Sequence, residues 1–62
     1  MKTFRINYND GTGDFIYTAA TVEKTYNHLF GDCIAFNGYT VTKDGVIVDK
    51  GDFIVVPCNC II

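Results

Sequence analysis

Residues 34–62 read IAFNGYTVTKDGVIVDKGDFIVVPCNCII, and this stretch decides the predicted fold. Its apolar runs are interrupted at three glycines with polar neighbours, which are Asn37-Gly38, Asp44-Gly45 and Lys50-Gly51-Asp52. Glycine, asparagine and aspartate accept the positive φ angles of tight turns more readily than other residues. The pattern therefore predicts short strands separated by turns.

A hairpin is predicted at the first of these turns. Asn-Gly is the strongest short-range signal for a two-residue turn, and here it joins Ile34–Phe36 to Tyr39–Thr42. Phe53–Val56 is apolar at every position, which is typical of a strand with neighbours on both sides, and Pro57 ends its hydrogen-bonded ladder. We expect this last strand in the middle of the sheet.

The amino-terminal residues predict another hairpin. Polar and apolar side chains alternate from Thr3 to Tyr8, which indicates a half-buried strand. Turn-forming residues fill positions 9–14, and strand-forming residues resume at Phe15–Thr18. The loop lacks the alternating carboxylates and closing glutamate of a calcium-binding loop, so we interpret it as a turn only.

A short helix is predicted between the two hairpins. Thr21 suits its amino-terminal cap, and Gly31 suits the left-handed residue that ends a helix. Four apolar residues between them recur at helical spacing and would form one stripe: Val22, Tyr26, Leu29 and Phe30. A helix of this length is stable only when it packs on a sheet.

The predicted order of strands and helix resembles the β-grasp fold of ubiquitin-like proteins. The match is nearest to the small sulfur carriers of thiamine and molybdopterin synthesis, and its residues lie in Ile34–Val41 and Val48–Val56. The resemblance implies an α+β class with the order ββαβββ and a mixed sheet with one helix packed on one face. It covers a single domain, residues 1–62, with residues 57–62 as a carboxyl-terminal tail.

The tail departs from that family. Sulfur carriers end in Gly-Gly, because an activating enzyme must adenylate a slim, unbranched terminus, whereas this chain ends in Cys60-Ile61-Ile62. We therefore expect no chemistry at a terminal thiocarboxylate. The alternative is an atypical carrier-like protein that uses Cys58 and Cys60 for redox or sulfur chemistry.

Size and charge exclude several functional classes. The chain has 62 residues, five basic and seven acidic, with a net charge of −2. It has no basic stripe for a phosphate backbone and no apolar run of the length that spans a membrane. We expect a cytoplasmic protein that binds neither nucleic acid nor membrane, with a core stability of about 3–5 kcal/mol.

The remaining candidates for chemistry are three cysteines and one histidine. Cys33, Cys58 and Cys60 are expected to be reduced thiols in an intracellular chain. Together with His28 they match zinc by residue type, but their spacing is unlike that of structural zinc sites. We predict no metal, no cofactor and no catalytic residue, so the chain is not expected to be an enzyme.

The predicted function is noncatalytic binding of another protein, as an adaptor or an inhibitor. One short helix covers one side of the sheet, so alternate residues of the last strand must face the uncovered side. Apolar side chains there would form a partner surface. Binding through this open face or a sheet edge is expected, and a homo-oligomer is a further possibility. The candidate partner-binding residues are Phe53, Ile54, Val55, Val56, Ile61 and Ile62.

Overall fold

The computed structural model describes all 62 residues, Met1–Ile62, as one antiparallel sheet followed by a short turn of 3-10 helix. Each strand pairs with its neighbours in sequence, in the order β1-β2-β3-β4. The elements are β1 (Lys2–Asn7), β2 (Asp14–Asn27), β3 (Gly31–Lys43), β4 (Val46–Pro57) and the 3-10 turn η1 (Cys58–Cys60). The class is all-β, not the predicted α+β.

The predicted amino-terminal hairpin is confirmed. β1 and β2 pair from Lys2 opposite Ala19 to Asn7 opposite Asp14. The loop between them turns at Asn9, whose φ is 59°, with further positive φ angles at its glycines. The alternation of polar and apolar side chains was sufficient to predict this hairpin, because its two strands are close together along the chain.

The predicted helix between the hairpins is wrong, because β2 continues to Asn27 and only residues 28–30 turn back into β3. From Thr21 onward the backbone of β2 pairs with β3, ending with Asn27 opposite Gly31. The β-branched side chains in this segment favour a strand. Gly31 does take a positive φ of 74°, although it starts a strand instead of ending a helix.

No helix in the chain is long and apolar enough to cross a membrane. The only helical element is η1, which has three residues. The predicted β-grasp architecture requires a helix packed on the sheet, so it is wrong for this chain. All three pairings between neighbouring strands are antiparallel, so the predicted mixed sheet is wrong as well.

The turn predicted at Asp44-Gly45 is confirmed, whereas the hairpin predicted at Asn37-Gly38 is wrong. Asn37-Gly38 stays inside β3, and Asp44-Gly45 connects β3 to β4. Asp44 and Gly45 have φ angles of 53° and 81°, so both central residues carry the positive φ of a type I′ turn. Asn-Gly and Asp-Gly both suit such a turn, and of these two dipeptides only Asp44-Gly45 forms one.

β4 lies at the edge of the sheet, not in its middle as predicted. It pairs with β3 alone, from Lys43 opposite Val46 to Cys33 opposite Pro57. Gly51 lies inside this strand, where we expected a turn. The role of Pro57 as the last residue of the ladder is confirmed.

The three long strands share one bend line, at Ala20 of β2, Gly38 of β3 and Asp52 of β4. Pairing is interrupted there, while the register on either side stays the same. Gly38 has a φ of 62°, and glycine within a strand is typical of a sharp bend. The core cluster takes an even-numbered residue of β3, Phe36, on one side of the bend line and an odd-numbered residue, Val41, on the other.

The bend line lets one sheet enclose its own core. Apolar side chains from both halves meet in a single cluster of buried residues, which are Ile6, Tyr17, Ala19, Phe36, Val41 and Val56. The ring of Phe36 lies at its centre and contacts Phe4 and Tyr17, with ring centroids 5.4 and 5.5 Å away. A helix is not needed to cover the inner face.

The carboxyl terminus closes the open side of this folded sheet. After Pro57, η1 turns the chain toward β1, where Ile61 forms an antiparallel bridge with Ile6. The backbone N–H of Ile62 donates to the carbonyl of Arg5 at 2.9 Å. The segment predicted as a tail therefore pairs with the outer edge of β1.

Phe36→Ala is expected to destabilise the protein by about 3–5 kcal/mol, because the change leaves a large cavity in the core. A domain of this size has little more stability than that, so the variant should be mostly unfolded by circular dichroism. The matched control is Phe53→Ala, because the Phe53 side chain is 58% exposed and should lose less than about 1 kcal/mol in urea unfolding. Equal losses for the two variants would contradict the described core.

Candidate functional site

The last strand divides its apolar side chains between the core and the solvent. Val56 is buried in the core and Ile54 packs against it. Phe53 and Val55 face outward, with 58% and 39% of their surface exposed. Of the two alternatives left open by the sequence, the structure places the Phe53 and Val55 pair on the outer face.

The two terminal isoleucines also differ in position. Ile61 packs against the core, whereas Ile62 is exposed. The predicted partner-binding set therefore does not form one surface. Its accessible members are Phe53 and Val55 on β4, and Ile62 beside β1.

A groove of about 460 Å³ opens beside Val55. We call it the outer groove. Its apolar lining comes from three separate parts of the chain, and amide and thiol side chains complete it. The apolar residues are Tyr8, Phe30, Val55 and Pro57, the amides are Asn27 and Asn59, and the thiols are Cys33 and Cys60.

Asn27 positions the groove wall contributed by the turn between β2 and β3. Its side-chain oxygen accepts hydrogen bonds from the backbone N–H groups of Leu29 at 2.7 Å and Phe30 at 3.2 Å. These bonds order a turn in which Phe30 is 62% exposed. The sequence pattern placed Phe30 on a helix stripe, so its role in the groove was missed.

Tyr8 is held on the opposite side of the groove by a second tyrosine. The hydroxyl groups of Tyr8 and Tyr17 share a hydrogen bond of 2.5 Å, and the Tyr8 ring packs on Phe15 with centroids 6.1 Å apart. Burial and the bond to Tyr8 raise the pKa of Tyr17, so its hydroxyl stays protonated at neutral pH. No local sequence signal marks Tyr8, because its anchor lies in the neighbouring strand.

The three cysteines are free thiols in different surroundings. Cys33 is buried on β3, while Cys58 and Cys60 are half-buried in η1. Burial raises the pKa of Cys33, which keeps this thiol protonated and weakly nucleophilic. Cys33 Sγ donates to the Gly31 carbonyl at 3.5 Å.

The other polar candidates have local structural roles. His28 is exposed in the β2–β3 turn, where its ring meets the edge of Tyr26 at a centroid distance of 5.8 Å. In the β1–β2 loop, hydrogen bonds from the Thr12 hydroxyl and N–H lower the pKa of Asp10. No three histidine, cysteine, aspartate or glutamate side chains are grouped so that they could hold a metal ion.

No family model, curated protein or solved structure matches this chain. The relationship to β-grasp sulfur carriers inferred from the sequence has no support from the structure either. The helix that resemblance requires is a strand, and the Asn-Gly dipeptide on which it depended bends β3 without ending it.

Cys58 is expected to react with iodoacetamide before Cys33 in the folded protein at pH 8. The reason is that alkylation requires an accessible thiolate, and Cys33 is both buried and held in its protonated form. Mass spectrometry of peptides from a time course measures the order of labelling. The control is the same reaction in urea, where all three cysteines should react at similar rates; fast labelling of Cys33 without urea would contradict the described burial.

Proposed function

We propose that this chain is a noncatalytic protein-interaction module that binds an extended, apolar segment of another protein in the outer groove. The observation that carries the proposal is the groove's lining, which combines exposed rings with amide side chains and contains no charged residue. Binding sites for apolar ligands commonly join apolar walls to a few polar groups that orient the ligand.

Part of the groove is ordered before binding. The bonds that Asn27 accepts hold the backbone of the turn that carries Phe30, and the Tyr8 side chain is held by its hydroxyl bond to Tyr17. These contacts lower the cost of ordering the site on binding, so more of the contact energy appears as affinity. Burying an exposed aromatic ring contributes about 1.5–3 kcal/mol, and Phe30 has most of its surface available.

The surroundings of the groove favour a peptide over a small molecule. Exposed apolar surface continues past the groove to Phe53 on β4. A compact ligand would leave this side chain in water, whereas an extended segment can follow it. Asn27 and Asn59 carry amide groups that can bond to a peptide backbone.

The apolar, uncharged lining also indicates how a partner would be selected. Without a lysine, arginine, aspartate or glutamate in the groove, discrimination must come from the shape and apolar content of the segment. An adaptor or an inhibitor that recognises an exposed apolar segment fits this chemistry. No observation favours a sulfur-carrier role, because Ile61 and Ile62 are bonded to β1.

Selection of twelve-residue peptides from a random phage-displayed library on the native protein should yield sequences rich in apolar residues. Phe30→Ala is expected to weaken the best peptide at least about tenfold, because it removes a wall of the groove. The matched control is Leu29→Ala in the same turn, since Leu29 is 86% exposed and does not line the groove. Affinities can be measured by isothermal titration calorimetry.

Amide chemical shifts in an NMR titration should change around the outer groove and along Phe53. Two results would overturn the proposal. One is a library that yields no binding peptide, and the other is a selected peptide whose affinity is the same for Phe30→Ala and the native protein.

A further inference from the structure

β4 has an unpaired outer edge along its whole length. The strand has 12 residues and pairs only with β3, because the carboxyl terminus returns to β1 instead of to β4. Its first three residues, Val46–Val48, are apolar and more than half exposed. The unpaired backbone groups of such an edge are a template for pairing with another strand.

The residues along this edge are arranged symmetrically about Gly51. Residues 46–56 read VIVDKGDFIVV, so three apolar residues stand at each end and charged residues flank the central glycine. We propose that β4 pairs antiparallel with β4 of a second copy of the chain, around a two-fold axis at Gly51. The two sheets then form one continuous eight-stranded sheet.

Charge selects this register over its neighbours. A two-fold axis between two antiparallel copies of a strand places one central residue opposite the same residue of the second copy. A residue that precedes the central residue by a given number of positions then lies opposite the residue of the second copy that follows it by the same number. With Gly51 at the centre, Lys50 lies opposite Asp52 of the second copy, and this favourable pair occurs twice. Centres at Asp49, Lys50 or Asp52 place identical charges opposite each other, which is destabilising.

The apolar residues agree with the same register. With Gly51 at the centre, three apolar pairs form on each side of the axis, which are Val46 with Val56, Ile47 with Val55, and Val48 with Ile54. The one mismatched pair is Asp49 with Phe53. Registers centred at Val48 or Phe53 have a similar mismatch, because each places an aspartate opposite an isoleucine. Unlike the register centred at Gly51, they form no pair of opposite charges near the axis. Among these registers, only the centre at Gly51 combines opposite charges with apolar pairs at both ends.

The other free edge lacks this complementarity. Beyond Ala19, β2 has no partner on the side of β1, which leaves an edge at residues 20–27. Glu23 and Lys24 are adjacent there, and no two-fold register centred on a residue can place adjacent residues opposite each other. A centre at either residue brings identical charges together, and no centre pairs Glu23 with Lys24, so this edge offers no attractive charge pair for self-pairing.

The local structure around Gly51 fits a close approach of two strands. Gly51 has no side chain, and the Tyr39 ring lies over it, so that a Cβ at this position would be 2.9 Å from the Tyr39 hydroxyl. An aromatic ring over a glycine supports a strand locally. The β-bulge in β4 lies within the paired segment, at Val48 between the pairs that Asp49 and Ile47 form with β3, and the bend at Asp52 lies one residue from the axis. Pairing therefore requires the second copy to follow both irregularities.

The inference is independent of the peptide proposed for the outer groove. Val55 lines that groove, and the register places Ile47 of the second copy beside it. Self-pairing would give an assembly with two grooves, each with an extended apolar margin. Loss of peptide binding would leave the dimer unaffected, and loss of the dimer would leave the peptide site of a single chain intact.

Sedimentation equilibrium from about 10 µM to about 1 mM tests the inference on the full chain. The native protein should dimerise within this range. Lys50→Glu and Asp52→Lys should each weaken the dimer about tenfold or more, because each replaces two attractive pairs by two repulsive ones. Both side chains are exposed, and circular dichroism should show that each variant keeps the native fold.

An equimolar mixture of the two variants provides the decisive control. In a mixed dimer, the glutamate introduced at position 50 of one chain faces the lysine introduced at position 52 of the other. The unchanged Asp52 of the first chain faces the unchanged Lys50 of the second, so dimerisation should return to about the native strength. A native protein that stays monomeric at the highest concentration would overturn the inference. So would dimers that resist both single substitutions, or variants whose mixture stays monomeric.

Discussion

The structure depends on the bend line that crosses three strands at Ala20, Gly38 and Asp52. An antiparallel sheet has an apolar face that must be buried, and this chain has no helix to cover it. Because the strands bend together, the inner face of one half packs against the inner face of the other. The positive φ of Gly38, which a residue with a side chain adopts at a cost, permits this bend.

Closure of the sheet then positions the outer groove. The bridge between Ile61 and Ile6 brings η1 toward the end of β1, so that residues from the two ends of the chain line one groove. The hydroxyl bond between Tyr8 and Tyr17 links the groove wall to the core. The contacts that stabilise the fold therefore also shape the proposed binding groove. The free edge of β4 takes no part in these contacts.

The sequence predicted local features well where both partners lie close together along the chain. The β1–β2 hairpin and the end of the ladder at Pro57 are examples. The helix was wrong because helical spacing indicates a buried stripe only if its members share an environment. Here Val22 packs against the core while Leu29 and Phe30 are exposed, so the spacing was coincidental.

The sequence by itself determined the strand-forming composition, the glycines at which the backbone could turn or bend, and the apolar character of Phe53–Val56. Tertiary structure decided whether each glycine turns or bends its strand: Gly45 connects two strands, whereas Gly38 bends one. It also separated Phe53 and Val55 from the core and brought Tyr8 to the groove. These outcomes depend on pairing between residues that are distant in the sequence. The local conformational preferences of a glycine or of an apolar strand are similar whether the strand turns or bends and whichever face is buried, so only burial of one face selects the observed pairing.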